Sequence, residues 1–441
     1  MALVVIAAFL LRLGPSLDPC LHKWDERYHA LVAKHLIAEP LVPMLYDDPA
    51  LPHIVGAWDR GHIWLNKPPL SLWSIALSLK CFGMHAWAVR LPSVLLSAFA
   101  ALLLFELTLL ISTRRTAFWT AFLFAIQGHL IELASGRTSN DHPDTFLMLF
   151  VLASIYTAVR MSLSGSLLWA SISGASCGLA FLSKSWPALI VMPVAFLLVR
   201  RNRALEWQHV FRCMGLLALT AMVVGVPWMV YTARTFPVET AAAATAHWQH
   251  FTMNLEEHGR PWSYYLTQLP MIHGGLAPLA LIWFLVGPFR DRPREHAWLL
   301  VWWVLPYMIF SAADTKMPGY TVIAVSAVCI IIAMAIDRWT SLPHGDRWRI
   351  PGLFGAIGLV LMPLHFSLDR TRPWERATPR YAIPDMLLDP PPGTVIINCP
   401  VPVEVMFYTP VAAAYEGPMT KEAGHLSRIG YVLLDWKELQ D

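Results

Sequence analysis

Charge is what this sequence has least of. Only 14% of its 441 residues are Asp, Glu, Lys or Arg, against roughly 25% in soluble domains. That leaves too little polar surface for a water-soluble globule of this length. The 33 basic and 30 acidic residues nearly cancel, and no basic block interleaved with aromatics occurs, so a nucleic-acid partner is excluded. The 6 cysteines (Cys20, Cys81, Cys177, Cys213, Cys329 and Cys399) never form a CxxC pair, which removes zinc knuckles and dithiol redox motifs. A Gly-rich phosphate loop and a dinucleotide fingerprint are also missing.

What is present is apolar: 56% of the chain is hydrophobic. Uncharged runs cover 161–183, 214–233, 261–289, 317–336 and 350–368, near the roughly 20 residues a spanning helix needs. Shorter runs at 91–105, 117–131, 145–159, 186–199 and 297–313 extend the series, and 2–11 is a marginal first span before Arg12. About eleven spanning helices are expected. The 20 tryptophans suit repeated membrane–water interfaces. The first run lacks a basic leader and a small-residue cleavage site, so a retained helix is expected rather than a signal peptide. Arginines gather in alternate loops, at Arg114–Arg115, Arg160, Arg200–Arg203, Arg290–Arg294 and Arg338–Arg349. These loops are expected inside. Loops 18–88, 135–144, 183–185, 234–265 and 314–319 then lie outside, with an internal N-terminus and an external tail. Residues 1–368 form the membrane domain. Residues 369–441 have strand-like runs at Thr394–Ile397 and Tyr431–Leu434 and a helix-like stretch at Lys421–Arg428, which predicts a small external α/β appendage.

The polar residues gather in the external loops. The first holds Trp24-Asp25-Glu26-Arg27-Tyr28 and, later, Asn66-Lys67-Pro68-Pro69. An acid pair at a membrane surface is costly unless solvated, paired or used; the plain alternative is that Asp25 caps a helix. A Lys before two prolines is held extended. The second external loop holds Arg137, Asp141, His142 and Asp144, the two acids competing as helix caps. Lys184 stands between two spans, where it serves either as a substrate contact or as an anchor of helix ends. The later loops carry Glu256-Glu257-His258 and Lys316-Met317-Pro318-Gly319-Tyr320. Carboxylates for proton transfer and cations for phosphate on one membrane face fit a lipid-phosphate substrate.

These motifs resemble glycosyltransferase family 39 and its relatives, the protein O-mannosyltransferases and the lipid A aminoarabinose transferases. Asp25-Glu26 with Tyr28 is similar to the family's first-loop motif, and Lys67-Pro68-Pro69 to the Lys-Pro-Pro that follows it. Arg90-Leu91-Pro92-Ser93 resembles the start of the second span, and Asp141 or Asp144 the second-loop acid. Leu182-Ser183-Lys184, Val226-Pro227-Trp228, His258 with Trp262-Ser263-Tyr264-Tyr265, and Lys316-Met317-Pro318-Gly319-Tyr320 resemble later family stretches.

The resemblance implies an all-α integral-membrane protein of GT-C architecture. It implies transfer of a sugar, with inversion, from a polyprenyl-phosphate donor to an extracytoplasmic acceptor: a protein, a lipid A-like lipid or a cell-envelope glycan. Asp25 would be the base, with Glu26 and Asp141 or Asp144 orienting it or the acceptor. Lys67, Lys184 and Lys316 would surround the donor phosphate, with Tyr28 and Tyr320 as hydroxyl donors and Arg137 and His258 as further substrate contacts. Relatives that hold a divalent ion use a His at the position of His258 and a Glu before Lys-Pro-Pro. Asn66 stands there instead, and no tightly held zinc is expected. The competing reading is a transporter or flippase of a lipid-linked precursor, which would place charged or broken helices near the midplane.

Overall fold

Glycines at positive φ, Gly165 and Gly274, break two of the apolar runs into separate helices. The computed structural model describes residues 1–47, 53–138, 142–255, 257–372, 394–413 and 432–435. Its helices begin with α1 (Ala2–Ser16), α2 (Asp25–Leu36), α3 (Pro69–Phe82), α4 (Ala86–Ile111), α5 (Arg114–Ala125) and α6 (Gly128–Ala134). Next come α7 (His142–Ser164), α8 (Leu167–Lys184), α9 (Val191–Arg201), α10 (Trp207–Thr235), α11 (Pro237–Thr252) and α12 (Tyr264–His273). The series closes with α13 (Ala277–Phe284), α14 (Pro293–Ala312), α15 (Val325–Thr340), α16 (Arg349–Arg370) and the short α17 (Pro402–Tyr408). Three strands follow the last long helix: β1 (Thr394–Ile397), β2 (Ala412–Ala413) and β3 (Val432–Asp435).

The expected eleven crossings are not confirmed. Among the described residues six helices are long and apolar enough to cross a membrane, or eight if each bent pair counts as one span. Helix α5 bends by 52° into α6, and α12 bends by 109° into α13 and its π-helical continuation. The second break falls at Gly274, whose φ of +93° a side chain would strain. The uncharged run at 161–183 breaks at Gly165, φ +66°, into the end of α7 and α8. Helices α1, with 15 residues, and α9, with 11, are short of a full crossing.

By their contacts the residues fall into two compact units. The first contains 1–16, 93–231 and 247–373. In it, α7 and α8 are joined by reciprocal serine bonds: Ser154 Oγ donates to the Ser173 carbonyl at 2.7 Å and Ser173 Oγ to the Ser154 carbonyl at 2.9 Å. Gly174 and Gly178, one turn apart on α8, let α10 approach until any Cβ would strike Leu217 and Val224. Such small-residue spacing is how helices pack closely in lipid. Arg12, which interrupts the first apolar run, is fully buried. It closes the broken end of α5, donating to the carbonyls of Ala125 (2.9 Å) and Phe124 (3.2 Å) and to Ser97 Oγ (2.6 Å). A buried guanidinium is tolerated in an apolar unit only where its donors are satisfied in this way.

The second unit contains 17–92, 232–246 and 374–441, a partition different from the sequence boundary at residue 368. Its core joins Leu31, Tyr46 and Trp64 of the first long loop to Val395, Ile396, Val403 and Phe407 of the tail. The three strands form a parallel sheet in the order β2-β1-β3. The expected strands at 394–397 and 431–434 are present as β1 and β3. Helix α17 was not expected, because seven residues starting with a proline give little periodicity. The helix-like stretch Lys421–Arg428 lies outside the described residues.

Candidate active site

In the second unit the site begins at the first turn of α2. Asp25 opens this helix, where a carboxylate suits the helix dipole. It does not cap it: Trp24 is the cap residue and makes no side-chain cap bond. Asp25 Oδ2 instead lies 3.3 Å from Lys67 Nζ, both side chains being less than one-fifth exposed. Lys67 is delivered by its prolines: Pro68 is extended, and Pro69 starts α3. The Lys67 ammonium also sits 5.0 Å from the Trp58 ring centre, and Trp58 packs edge-on against Tyr28 at 5.8 Å.

Glu26 points the other way and is fully buried. Arg90 holds it with two bonds, Nε to Oε1 at 2.6 Å and Nη2 to Oε2 at 2.9 Å. The same guanidinium donates to the carbonyls of Asp18 and Cys20, both at 2.6 Å. The backbone N–H of His22 adds a 2.6 Å bond to Glu26 Oε2. Arg90 therefore pins the chain entering α2 and the first turn of the helix, and so orients Asp25. Glu26 has the positioning geometry and Asp25 the accessible one.

His22 gives this network a pH dependence. Burial pushes its imidazole down, but Glu26 and the bonds to Asp18 and Glu26 outweigh burial and raise it above 6.5. A raised folded pKa stabilises the fold fully below the unfolded value and loses that contribution as pH climbs through the folded one. Thermal unfolding should therefore show a midpoint falling as pH rises above about 6.5. His22→Gln should flatten that decline; an equal slope in the variant would show that other groups cause it.

In the first unit Asp144 and Lys184 form the second constellation. Asp144 lies in the first turn of α7 and Lys184 ends α8. Lys184 Nζ is 2.7 Å from both oxygens of Asp144 and 5.1 Å from the Tyr320 ring centre. Asp141 lies outside the described residues, as does Glu256. His258 and Lys316 are neighbours through backbone, the Lys316 N–H donating to the His258 carbonyl at 3.0 Å. Lys316 is buried, its ammonium turned back to the Ala313 carbonyl. Arg137 donates to the carbonyls of Arg370 (2.7 Å) and Arg372 (3.0 Å), so it closes the end of α16. The resemblance implies a donor phosphate at Lys184; a charge-assisted bond to it would be worth roughly 1.5–3 kcal/mol, and on that expectation Lys184→Ala slows turnover about 10- to 150-fold. Unchanged kinetics would leave Lys184 an anchor of α7 and α8 alone.

Sequence reasoning named Asp25, Glu26, Asp141, Asp144, Tyr28, Lys67, Arg137, Lys184, His258, Lys316 and Tyr320, and the structure groups Asp25 with Lys67, and Lys184 with Asp144 and Tyr320. It missed the work of Arg90, His22, Arg27 and Trp58. Arg90 carried a signal, being a charge at the start of a long apolar helix. Trp58 and His22 carried none.

The residues do not fit the divalent ion that some relatives hold. Asn66 is a neutral amide and a poor zinc donor beside a carboxylate. The other residue at a matching position is His258. Among the described residues no three His, Cys, Asp or Glu side chains could share a metal. The purified protein is expected to carry zinc well below one equivalent. Stoichiometric zinc, lost on His258→Ala, would contradict this.

Residues 66–231 match the family model for dolichyl-phosphate-mannose-protein mannosyltransferases. The undecaprenyl phosphate-alpha-4-amino-4-deoxy-L-arabinose arabinosyl transferase of Pseudomonas aeruginosa (strain LESB58) is 28% identical over 82% of this chain and 64% of its own length. The same-named transferase of Edwardsiella ictaluri is 28% identical over 77% of this chain and 61% of its own length. The chain thus spans 64% or less of these two curated relatives. Among solved structures, ArnT from Cupriavidus metallidurans bound to undecaprenyl phosphate superposes with a TM-score of 0.65 at 17% identity, covering 99% of this chain and 90% of that one. The archaeal oligosaccharyltransferase AglB from Archaeoglobus fulgidus gives a TM-score of 0.60 at 13% identity, covering 99% and 69%. The chain is similar to the aminoarabinose transferases over most of its length and carries the GT-C fold that its motifs led us to expect.

Proposed function

We propose that this protein transfers a sugar from a polyprenyl-phosphate donor to an acceptor on the outer side of a bacterial inner membrane. The observation that carries the proposal is the Asp25–Lys67 pair: a carboxylate beside an ammonium at 3.3 Å, on the first turn of a helix outside the apolar spans. A carboxylate can take the proton of an attacking hydroxyl, and an ammonium can offset the charge of a departing phosphate. The reaction is a single displacement. The acceptor oxygen forms a bond to the anomeric carbon as the carbon–oxygen bond to phosphate breaks, the configuration inverts, and polyprenyl phosphate leaves with the bonding pair. Asp25 takes the acceptor proton. Lys67 and Tyr28 serve the donor phosphate, and Glu26, through Arg90, orients Asp25. In the other unit Asp144 and Lys184, with Tyr320, Lys316, His258 and Arg137, are proposed contacts for polar substrate groups.

The relatives support this reading because they are named as transferases of an undecaprenyl-phosphate sugar. The two bent helix pairs and the buried Arg12 would suit a transporter or flippase as well, and the relatives, named as transferases, support transfer instead. The test is mass spectrometry of lipids and glycans from cells with and without the protein. One added sugar residue on a lipid, protein or envelope glycan, present only with the protein, is the expected result. Identical profiles would overturn the proposal.

A further inference from the structure

The C-terminal appendage docks on the helix that carries Asp25. Arg27 and Lys34 are seven residues apart on α2 and so share a face. Lys34 Nζ donates to the Thr409 carbonyl at 2.7 Å and to that of Met406, closing the end of α17. Tyr408, the last residue of α17, accepts the Leu21 N–H at 3.3 Å, just ahead of α2. Glu404 completes the set, its Oε1 accepting from Arg27 Nη1 at 3.1 Å with both side chains less than one-fifth exposed.

We infer that Glu404 is a positioning residue for the phosphate site, acting through Arg27 on the hydroxyl of Tyr28. Arg27 uses a second nitrogen, Nη2, to donate to the Tyr28 oxygen at 3.0 Å, and its guanidinium lies 4.9 Å from the centre of that ring. The Tyr28 oxygen is thereby an acceptor toward Arg27, so its single hydrogen is directed elsewhere. A hydroxyl that accepts from a cation is also the stronger donor through its own hydrogen. That is a fixed donor for an anionic oxygen, three residues along α2 from the Asp25–Lys67 pair and joined to it by the Trp58 ring. Glu404 offsets the Arg27 charge and holds the guanidinium in the plane this arrangement needs. Stability alone is a weak reason for the contact. Glu404 Oε2 is buried without a hydrogen-bond partner among the described residues, and a half-satisfied, partly buried ion pair adds little to a fold. The tail therefore tunes the site from outside the membrane domain.

The inference rests on the proposed polyprenyl-phosphate donor, so its test reads binding of that lipid and not transfer. Titration calorimetry of the full-length protein in detergent, with polyprenyl phosphate as the probe, compares wild type, Glu404→Gln, Tyr28→Phe and the double variant. Each single change is expected to weaken binding about tenfold, and the double variant also about tenfold, because both act through one hydroxyl. Glu404→Asp, which keeps the carboxylate, should bind more tightly than Glu404→Gln; it replaces the latter in the cycle should Glu404→Gln fail to fold. A double variant weakened about a hundredfold, unchanged binding in Glu404→Gln, or no binding by wild type would each overturn the inference. Binding without any transfer would count against the proposed function and leave this inference standing.

Discussion

Asp25→Asn should give a folded protein that still binds donor lipid and transfers sugar about 10²–10⁴-fold more slowly, the usual worth of general acid–base catalysis. The substitution is nearly isosteric and removes the proton acceptor. As a helix cap Asn would serve about equally well, but the structure gives the cap position to Trp24, so capping does not explain Asp25. The change also leaves Lys67 without its carboxylate partner, an ammonium still partly solvated and 5.0 Å from the Trp58 ring centre. The fold cost should be small, because Asn is nearly isosteric with Asp and its amide oxygen still accepts from the Lys67 ammonium. Kinetics and stability therefore separate: a large drop in turnover with an unshifted unfolding midpoint is the expected pattern. Near-normal transfer would move the base to Asp141 or Asp144.

Glu26→Ala should do the opposite, damaging the fold before the chemistry. It strands the Arg90 guanidinium, fully buried, without its carboxylate. Removing one partner of a buried pair costs about 3–5 kcal/mol, a large share of the roughly 5–15 kcal/mol that keeps a domain folded. The second unit should lose its cooperative transition or unfold at a much lower temperature. Glu26→Leu combined with Arg90→Met removes both charges and should recover part of the loss. Full stability in Glu26→Ala would mean that water reaches Arg90. The two neighbouring acids thus predict opposite phenotypes, although the sequence presents them as one motif.

That contrast shows what was legible in the chain and what was not. Hydropathy gave the membrane class because long uncharged runs have few other uses, and the GT-C fold followed from the order of short motifs. The crossing count was not confirmed, because apolar character does not record bends: Gly274 and Gly165 end helices inside runs with no charge to mark the break. Arg12 looked like an interruption, yet its fixed bonds to the end of α5 make it part of the scaffold. At the site, Asp25 and Lys67 were each readable from their motifs, but their pairing was not, because 42 residues separate them. Glu26 was assigned with the catalytic acids, while its partner Arg90 lies 64 residues away. Only the folded chain makes them neighbours. Glu404 was invisible for the same reason, 377 residues from Arg27 in a tail with no recognisable motif.

The central claim is transfer from a polyprenyl-phosphate sugar, and the most direct measurement is made on the purified full-length protein in proteoliposomes. Radiolabelled polyprenyl-phosphate sugar is supplied with extracts of membrane lipid, protein and envelope glycan as acceptors. The account predicts label moving from the polyprenyl lipid to one acceptor class, with inversion and one polyprenyl phosphate released per sugar, and this transfer all but abolished in Asp25→Asn. Label that stays on the polyprenyl lipid while the lipid crosses the bilayer would contradict it.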